Sequence, residues 1–387
     1  MLLKVIILSI LRNVSGSYRQ VIIYEHFSSG ETKGKNDRSF ANEGLFMART
    51  MLSCFSRLDY IKPLLILNER FSFAFDPTEG QNQYIVHNDE GERALFELCG
   101  NRPVVLIAPE TQGLSARLTL KATQAGGIIL GSAPSAVKIA SDKARLLKLL
   151  ADKGVPCPPF AVVYDQTTIK EAALSWGFPL VVKPSCGTGG EGSVLLSNKI
   201  ELDEFLTSKK ADSRGLIIQP FIKGFPASLS ILATGSGKTY LVSVNEQKIA
   251  LSESDDGKSA SFRYIGGKTG LSEEDYAAYG GTSLEYLQGL SQTVVDAIPG
   301  LMGYVGIDLI MTTKGPQVLE VNPRITTPLA FLGKFATWNI AEALMEACLL
   351  DSFHQILLCR KLITPWRVYH AKNIRRDRRL GHWWGTE

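Results

Sequence analysis

Residues Phe178 to Ser193 constrain the fold more than any other stretch. Phe178-Pro-Leu-Val-Val-Lys-Pro184 starts as a short apolar strand and ends it in a lysine and a proline. Ser-Cys-Gly-Thr-Gly-Gly-Glu-Gly-Ser193 follows, with glycines at 187, 189, 190 and 192. Such a loop has many free backbone N–H groups and few side chains, so it can wrap a polyphosphate. Lys183 stands at the strand end, where one ammonium could reach a phosphate oxygen. At about 4 Å and an effective dielectric of about 20, that contact carries roughly 4 kcal/mol before desolvation. The same residues also fit a flexible hairpin after a buried strand. The two readings separate on whether the other parts of a nucleotide site follow.

The chain has 387 residues, which predicts two or three packed units. Val21-Ile-Ile-Tyr24, Tyr60 to Leu67 and Val104 to Ala108 read as buried strands, with a helix over Asn42 to Phe55 and another capped by Asp89 and running to Cys99. Gly80 to Asn88 reads as a turn-rich passage. This alternation predicts an α/β domain over residues 21–130 with a parallel sheet. Residues 131–352 form the next unit, in two parts of about 131–220 and 221–352. A helix starts at Ser141, with Asp142-Lys143 in its first turn, and ends at Gly154. From Pro226 the pattern turns antiparallel, with strands over Ser228–Thr234 and Thr239–Asn245. Residues 252–282 read as a polar, substrate-facing loop, Thr282–Ile298 as an amphipathic helix, and Pro328–Leu350 as one apolar helix.

Gly235-Ser-Gly-Lys-Thr239 imitates the end of a P-loop. The first glycine of that motif is missing, because Leu232 holds its place, and Tyr-Leu-Val-Ser-Val reads as a strand rather than a helix. A hairpin turn accounts for these residues better.

Two acids stand in apolar strands joined by a tight turn: Asp308 in Gly303-Tyr-Val-Gly-Ile-Asp-Leu-Ile310, and Glu320 in Val318-Leu-Glu-Val-Asn-Pro-Arg324. Antiparallel pairing brings them together, and Asn322 shares Glu320's face because strand side chains alternate. An unpaired charge is costly there. Two carboxylates and an amide oxygen suit magnesium, or manganese, with phosphates completing the shell. Pairing of each acid with a buried lysine or arginine is the other reading.

The ordered set Lys143, Lys183, the glycine loop, Ile218-Gln-Pro-Phe-Ile-Lys-Gly224, Asp308 and Glu320-x-Asn-Pro-Arg324 resembles the ATP-grasp superfamily over roughly residues 130–350. The resemblance implies α/β and α+β architecture: an N-terminal Rossmann-like (pre-ATP-grasp) domain followed by a two-subdomain ATP-grasp fold. It implies a carboxylate–amine ligase that uses ATP and magnesium and passes through an acyl phosphate. On this resemblance Lys143 and Lys183 contact ATP phosphates, and Gly187, Thr188, Gly189, Gly190, Gly192 and Ser193 close over them. Gln219, Pro220, Phe221 and Ile222 hold the adenine. Asp308, Glu320 and Asn322 hold the metal, and Arg324 contacts the transferred phosphoryl group. Two departures stand out. Phe225-Pro-Ala-Ser228 lacks the acid that holds the ribose in many relatives, and Gly306 replaces an arginine found in D-alanine ligases.

Tyr24-Glu-His-Phe-Ser-Ser-Gly30, Ala41-Asn-Glu-Gly-Leu-Phe-Met47, Leu106-Ile-Ala-Pro-Glu-Thr111, Pro226-Ala-Ser228, Tyr264-Ile-Gly-Gly267 and Asn322-Pro-Arg-Ile-Thr-Thr327 are similar to the tyramine–L-glutamate ligases of methanofuran and methylofuran biosynthesis. That branch implies glutamate as the activated acid and a tyramine-like amine as acceptor. The partners expected are therefore small molecules.

A net charge of +4 is too weak to argue for nucleic acid. Much of the excess sits in a basic tail, residues 353–387, with aromatic residues around its arginines; a solvated terminus explains it. Six cysteines without a C-x-x-C pair argue against zinc and disulfides, and for a reducing, cytoplasmic compartment. Residues 1–20 form an N-terminal extension. Its apolar start is too short to span a bilayer, and fits a short signal peptide, an extra strand or an early start codon. No membrane partner is expected, and assembly of identical copies is left open.

Overall fold

The computed structural model describes residues 20–30, 37–75, 82–208, 215–253, 260–277, 279, 282–336, 338–354, 369–370, 375–376 and 383–384. The N-terminal extension up to residue 19 and most of the basic tail lie outside them, as do parts of the 252–282 segment. Among the described residues no helix is long and apolar enough to cross a membrane.

Strands β1 (Gln20–Glu25), β2 (Lys62–Asn68), β3 (Gln83–Val86), β4 (Pro103–Ile107) and β5 (Ile128–Ile129) form a parallel sheet in the order β3-β2-β1-β4-β5. The central strands are apolar throughout because both faces are covered. Helix α1 (Asp37–Ser56) covers Val21, Ile23, Leu65 and Leu67. Helices α2 (Gly91–Cys99) and α3 (Leu114–Gln124) cover Ile22, Tyr24 and Ile66. The strand order reverses between β1 and β4, the place where open parallel sheets bind ligands. Glu25 ends β1 and Glu110 lies just past β4, so two buried acids flank that point.

Helices α4 (Pro134–Ala140) and α5 (Lys143–Asp152) lead into a sheet whose strands pair antiparallel. Its strands are β6 (Ala161–Val163), β7 (Leu180–Pro184), β8 (Val194–Leu196), β9 (Leu216–Pro220), β10 (Phe225–Ala233), β11 (Thr239–Glu253), β12 (Ala260–Thr269), β13 (Gly303–Thr312) and β14 (Gly315–Asn322). Their order is β14-β13-β10-β11-β12-β8-β7-β9-β6, and Tyr369–His370 pairs beside the end of β12. Strands β6 to β9 share one core with α6 (Gln166–Trp176) and α7 (Lys199–Thr207). Strands β10, β11, β13 and β14 share another with α5 and α8 (Leu284–Ala297). The N-terminal sheet's α1 face continues into α9 (Thr327–Phe335) and α10 (Ile340–Leu349), so one apolar core crosses between the units.

Several sequence expectations are corrected. Asp142, not Ser141, caps α5, accepting from the amides of Ala144 and Arg145. Glu90, not Asp89, precedes α2. The turn-rich passage contains β3, which pairs parallel with β2. The polar loop at 252–282 contains β12, paired with β11 from Asn245↔Thr269 to Glu253↔Ala260; strand pairing satisfies its backbone where side-chain periodicity gives no signal. The single helix over Pro328–Leu350 is two, because the Asn339 side chain accepts from the Ala341 and Glu342 amides and starts a second helix. The Gly235–Lys238 segment is the expected hairpin turn, with Asp351 accepting from the Ser236 amide at 2.7 Å and pairing with Lys238 at 3.6 Å.

Candidate active site

The site lies where β13, β14, β11, the strand end of β7 and the crossover point of the N-terminal sheet converge. The turn Thr312-Thr-Lys-Gly315 folds β14 back on β13, closed by Thr312 Oγ1 to the Gly315 carbonyl at 2.8 Å. The resulting register pairs Asp308 with Glu320 and Gly306 with Asn322. A bulge follows Asp308. Asp308 accepts from Asn322 Nδ2 at 3.1 Å and from Gln247 Nε2 at 3.0 Å. Burial, and then the like charge of Glu320, push the Asp308 carboxyl up to about 7, against Asn322, Arg324 and Gln247.

Lys143 opens α5 under the glycine loop. Its Nζ donates to the Gly187 carbonyl at 2.5 Å and lies 3.4 Å from Glu320 Oε1. The start of α5 is locked to β7's end: the Lys143 amide donates to the Ser185 carbonyl at 2.8 Å, and the Ser185 hydroxyl donates to Asp142. Lys183 is 8% exposed. Burial pulls its ammonium down to about 8, with Lys143 adding to that and Glu320 and Asp308 opposing it. Two lysines facing two carboxylates form a balanced polar cluster, which phosphate oxygens and a hard cation would complete.

Gly189, Gly190 and Gly192 all have positive φ, a backbone that side-chain-bearing residues resist. A methyl on Gly190 would lie 2.9 Å from the Phe262 carbonyl. Phe262 in turn stacks on Phe221 at 6.3 Å. The loop at 187–193 thus meets β12 beside the segment Gln219–Ile222. Gln219 is buried, and its Nε2 has no hydrogen-bond partner among the described residues. A buried orphan donor at a strand end is what an acceptor on a bound base would satisfy.

Arg324 follows β14 and is gripped by Glu110. Its Nε and Nη2 donate to the two Glu110 carboxylate oxygens at 2.8 and 3.1 Å. Burial works against charge on both partners, yet each holds the other ionised: Glu110 is lowered and Arg324 raised. Thr188 donates to Glu110 at 2.8 Å and accepts from Arg324 Nη2 at 3.2 Å. Nearby, Thr327 donates to Glu43, and Glu25 accepts from the Ser28 amide at 2.7 Å.

The sequence-predicted side chains fall into two groups, joined by the glycine loop at 187–193. Lys143, Lys183, Asp308, Glu320, Asn322 and Arg324 converge with Thr188; Gln219, Pro220, Phe221 and Ile222 line the neighbouring strand end. Sequence reasoning assigned no role to Glu110, Gln247 or Glu43. Glu110 had a signal, an acid ending a strand of a parallel sheet. Gln247 had none, since its facing depends on pairing across β10. Among the described residues no cluster of three or more His, Cys, Asp or Glu is built for a metal. The donor set is two carboxylates and an amide, which fits magnesium or manganese sharing its shell with phosphate and water.

Residues 140–328 match the profile of the ATP-grasp domain, and residues 61–137 match that of the pre ATP-grasp 3 domain. The carbamoyl phosphate synthase large chain of Methanoregula boonei is 25% identical over 260 residues, 67% of this chain and 23% of the relative. That of Methanosphaerula palustris is 27% identical over 252 residues, 65% of this chain and 22% of the relative. The chain thus spans less than a quarter of these relatives' length. An ATP-grasp superfamily protein from Archaeoglobus fulgidus superposes with a TM-score of 0.60 at 24% identity, covering 85% of this chain and 88% of that one. The biotin carboxylase domain of Hydrogenobacter thermophilus 2-oxoglutarate carboxylase, solved with MgADP and bicarbonate, gives 0.63 at 16%, covering 85% and 69%. At these identities the structural likeness is one of fold.

Proposed function

The chain belongs to the ATP-grasp superfamily, and from that premise we propose that it is an ATP-dependent carboxylate–amine ligase. The reading is that a substrate carboxylate takes the γ-phosphoryl group of ATP, releasing ADP, and an amine then displaces phosphate to leave an amide. The observation that carries it is the register pair Asp308–Glu320 with Lys143 and Lys183 beside it, under a glycine loop that Arg324 touches through Thr188.

Each residue type suits that chemistry. A carboxylate is a poor electrophile until phosphorylated. The phosphoryl group in flight spreads charge over its oxygens, so fixed cations around it lower the barrier. Lys143 and Lys183 would hold phosphate oxygens in place, and Arg324 would face the transferred group. Asp308, Glu320 and Asn322 would hold magnesium, which supplies charge neutralisation across the phosphates when bound. The loop at 187–193 would keep water from the acyl phosphate. Gln219 to Ile222 would take the adenine.

We further propose glutamate as the acid and a tyramine-like amine as the acceptor, as in the tyramine–L-glutamate ligases. Support comes from where the branch-like motifs fall. Glu25, Glu43, Glu110 and Thr327 come from four separate stretches. Glu110 grips Arg324, Glu43 accepts from Thr327 and favours the charged form of Arg324, and Arg324 in turn favours the charged form of Glu25. The substrates would be small molecules handled in the cytoplasm.

The test is ADP release from purified protein with Mg-ATP, scanned over single and paired substrates, glutamate plus tyramine among them. Release only with both, falling at least about 100-fold in Asp308→Asn or Glu320→Gln, is the expected result; that factor corresponds to about 2.7 kcal/mol of lost stabilisation. Release with another acid and amine keeps the mechanism and discards the branch. ATP binding without turnover for any pair points to a binding protein.

A further inference from the structure

The Glu110 carboxylate joins three segments that are remote in the chain. It is 4% exposed and belongs to the N-terminal unit. Its Oε1 accepts from Arg324 Nε at 2.8 Å, across 214 positions. Its Oε2 accepts from Arg324 Nη2 at 3.1 Å and from Thr188 Oγ1 at 2.8 Å, the latter across 78 positions. Arg324 Nη2 closes the ring by donating to Thr188 Oγ1 at 3.2 Å. The next loop residue also meets the N-terminal unit: a methyl on Gly189 would lie 3.4 Å from the Phe40 ring.

We propose that Glu110 is a positioning residue that couples closure of the loop at 187–193 to the orientation of Arg324. This deepens the ligase reading and rests on it. The grip is side-on, through Nε and Nη2. Among the described residues only the Ile325 carbonyl, 3.3 Å away, accepts from Nη1, so that nitrogen keeps an N–H for an anionic oxygen. Opening the loop removes the Thr188 hydroxyl, and buried Glu110 Oε2 and Arg324 Nη2 each lose a partner. Buried charged groups resist such a loss. The closed loop and the aimed guanidinium are thus one arrangement, and the N-terminal unit holds it.

Hydrogen exchange of the amides at 188–193, measured without nucleotide, tests this with no need for turnover. Thr188→Val is expected to speed exchange about tenfold, the effect of losing about 1.4 kcal/mol. Thr188→Ser, which keeps the hydroxyl, is expected to stay within about twofold of the parent. Glu110→Gln is expected to match or exceed Thr188→Val, and the double variant to exchange no faster than Glu110→Gln alone, since coupled residues do not add. Where Glu110→Gln fails to fold, the Thr188 pair carries the test. Unchanged exchange in Thr188→Val, or additive effects in the double variant, overturns the coupling. If exchange follows this pattern but no acid and amine pair supports turnover, the coupling stands and the ligase reading falls. If turnover is found but exchange is indifferent, the reverse holds. In an active enzyme, Thr188→Val is further expected to raise the share of ADP released without amide, and Thr188→Ser to restore the parent ratio.

Discussion

Burial pushes the Glu25 carboxyl up to about 7, against the Ser28 and Phe27 amides that favour its ionised form. The unfolded carboxyl titrates near 4.5, so folding takes up a proton between those values. The stability Glu25 contributes is full below about 4.5 and declines as pH rises through about 7, by at most about 3 kcal/mol. Glu25→Gln is expected to flatten the fall in denaturation midpoint between pH 5 and 7; an unchanged slope would show that Glu25 is ionised in the fold across that range. Gly44 lies against the same carboxylate, where an added methyl would stand 2.3 Å from it. Gly44→Ala is therefore expected to lower stability by about 1 to 2 kcal/mol in urea titration, because overpacking outweighs a helix-propensity gain of about 1 kcal/mol. At this scale Asp308, Glu320, Asn322 and Lys183 stood out as polar residues in or at the ends of apolar strands, whereas Lys143, flanked by Asp142 and followed by Arg145, was picked out only by the ATP-grasp resemblance. Glu110's part was not, because its partners Thr188 and Arg324 come from distant segments that only folding brings together.

Helices α9 and α10 show how one side chain sets an element. Asn339 caps α10 and also donates through Nδ2 to the Cys54 carbonyl of α1 at 2.9 Å. Asn339→Ala is expected to cost about 1 to 2 kcal/mol of stability in thermal or urea unfolding, with a smaller loss if the α1 contact is incidental. The P-loop look-alike gives the opposite expectation. Lys238 is largely exposed and paired with Asp351 at 3.6 Å, so Lys238→Ala is expected to leave nucleotide affinity unchanged and stability within about 1 kcal/mol; weakened ATP binding in that variant would reopen the P-loop reading. Strands with long apolar runs were legible from periodicity alone. β12 was not, because it is half-buried along nearly its whole length, with neither a buried apolar run nor a buried/exposed alternation. What makes it a strand is the backbone ladder with β11.

For the whole molecule, the candidate site draws on both units, so a ligand that fills it stabilises their joint arrangement. Mg-ADP at about 100 times its Kd is expected to add about 2.7 kcal/mol, read as a rise in melting temperature. Removing the metal with EDTA should shrink that rise, and Asp308→Asn should abolish the metal-dependent part; a shift indifferent to metal would argue against the carboxylate pair as its site. By itself the sequence determined the two kinds of sheet, the tight turn that sets Asp308 opposite Glu320, and the glycine loop beside Lys183. These are local consequences of apolar periodicity, turn chemistry and strand alternation. Only the tertiary structure decided that Glu110 would hold Arg324 and Thr188, that Gln247 would reach Asp308, and that α1, α9 and α10 would share one core. Those contacts depend on register summed across several strands and on the packing of one unit against the other, which no stretch of the chain encodes alone.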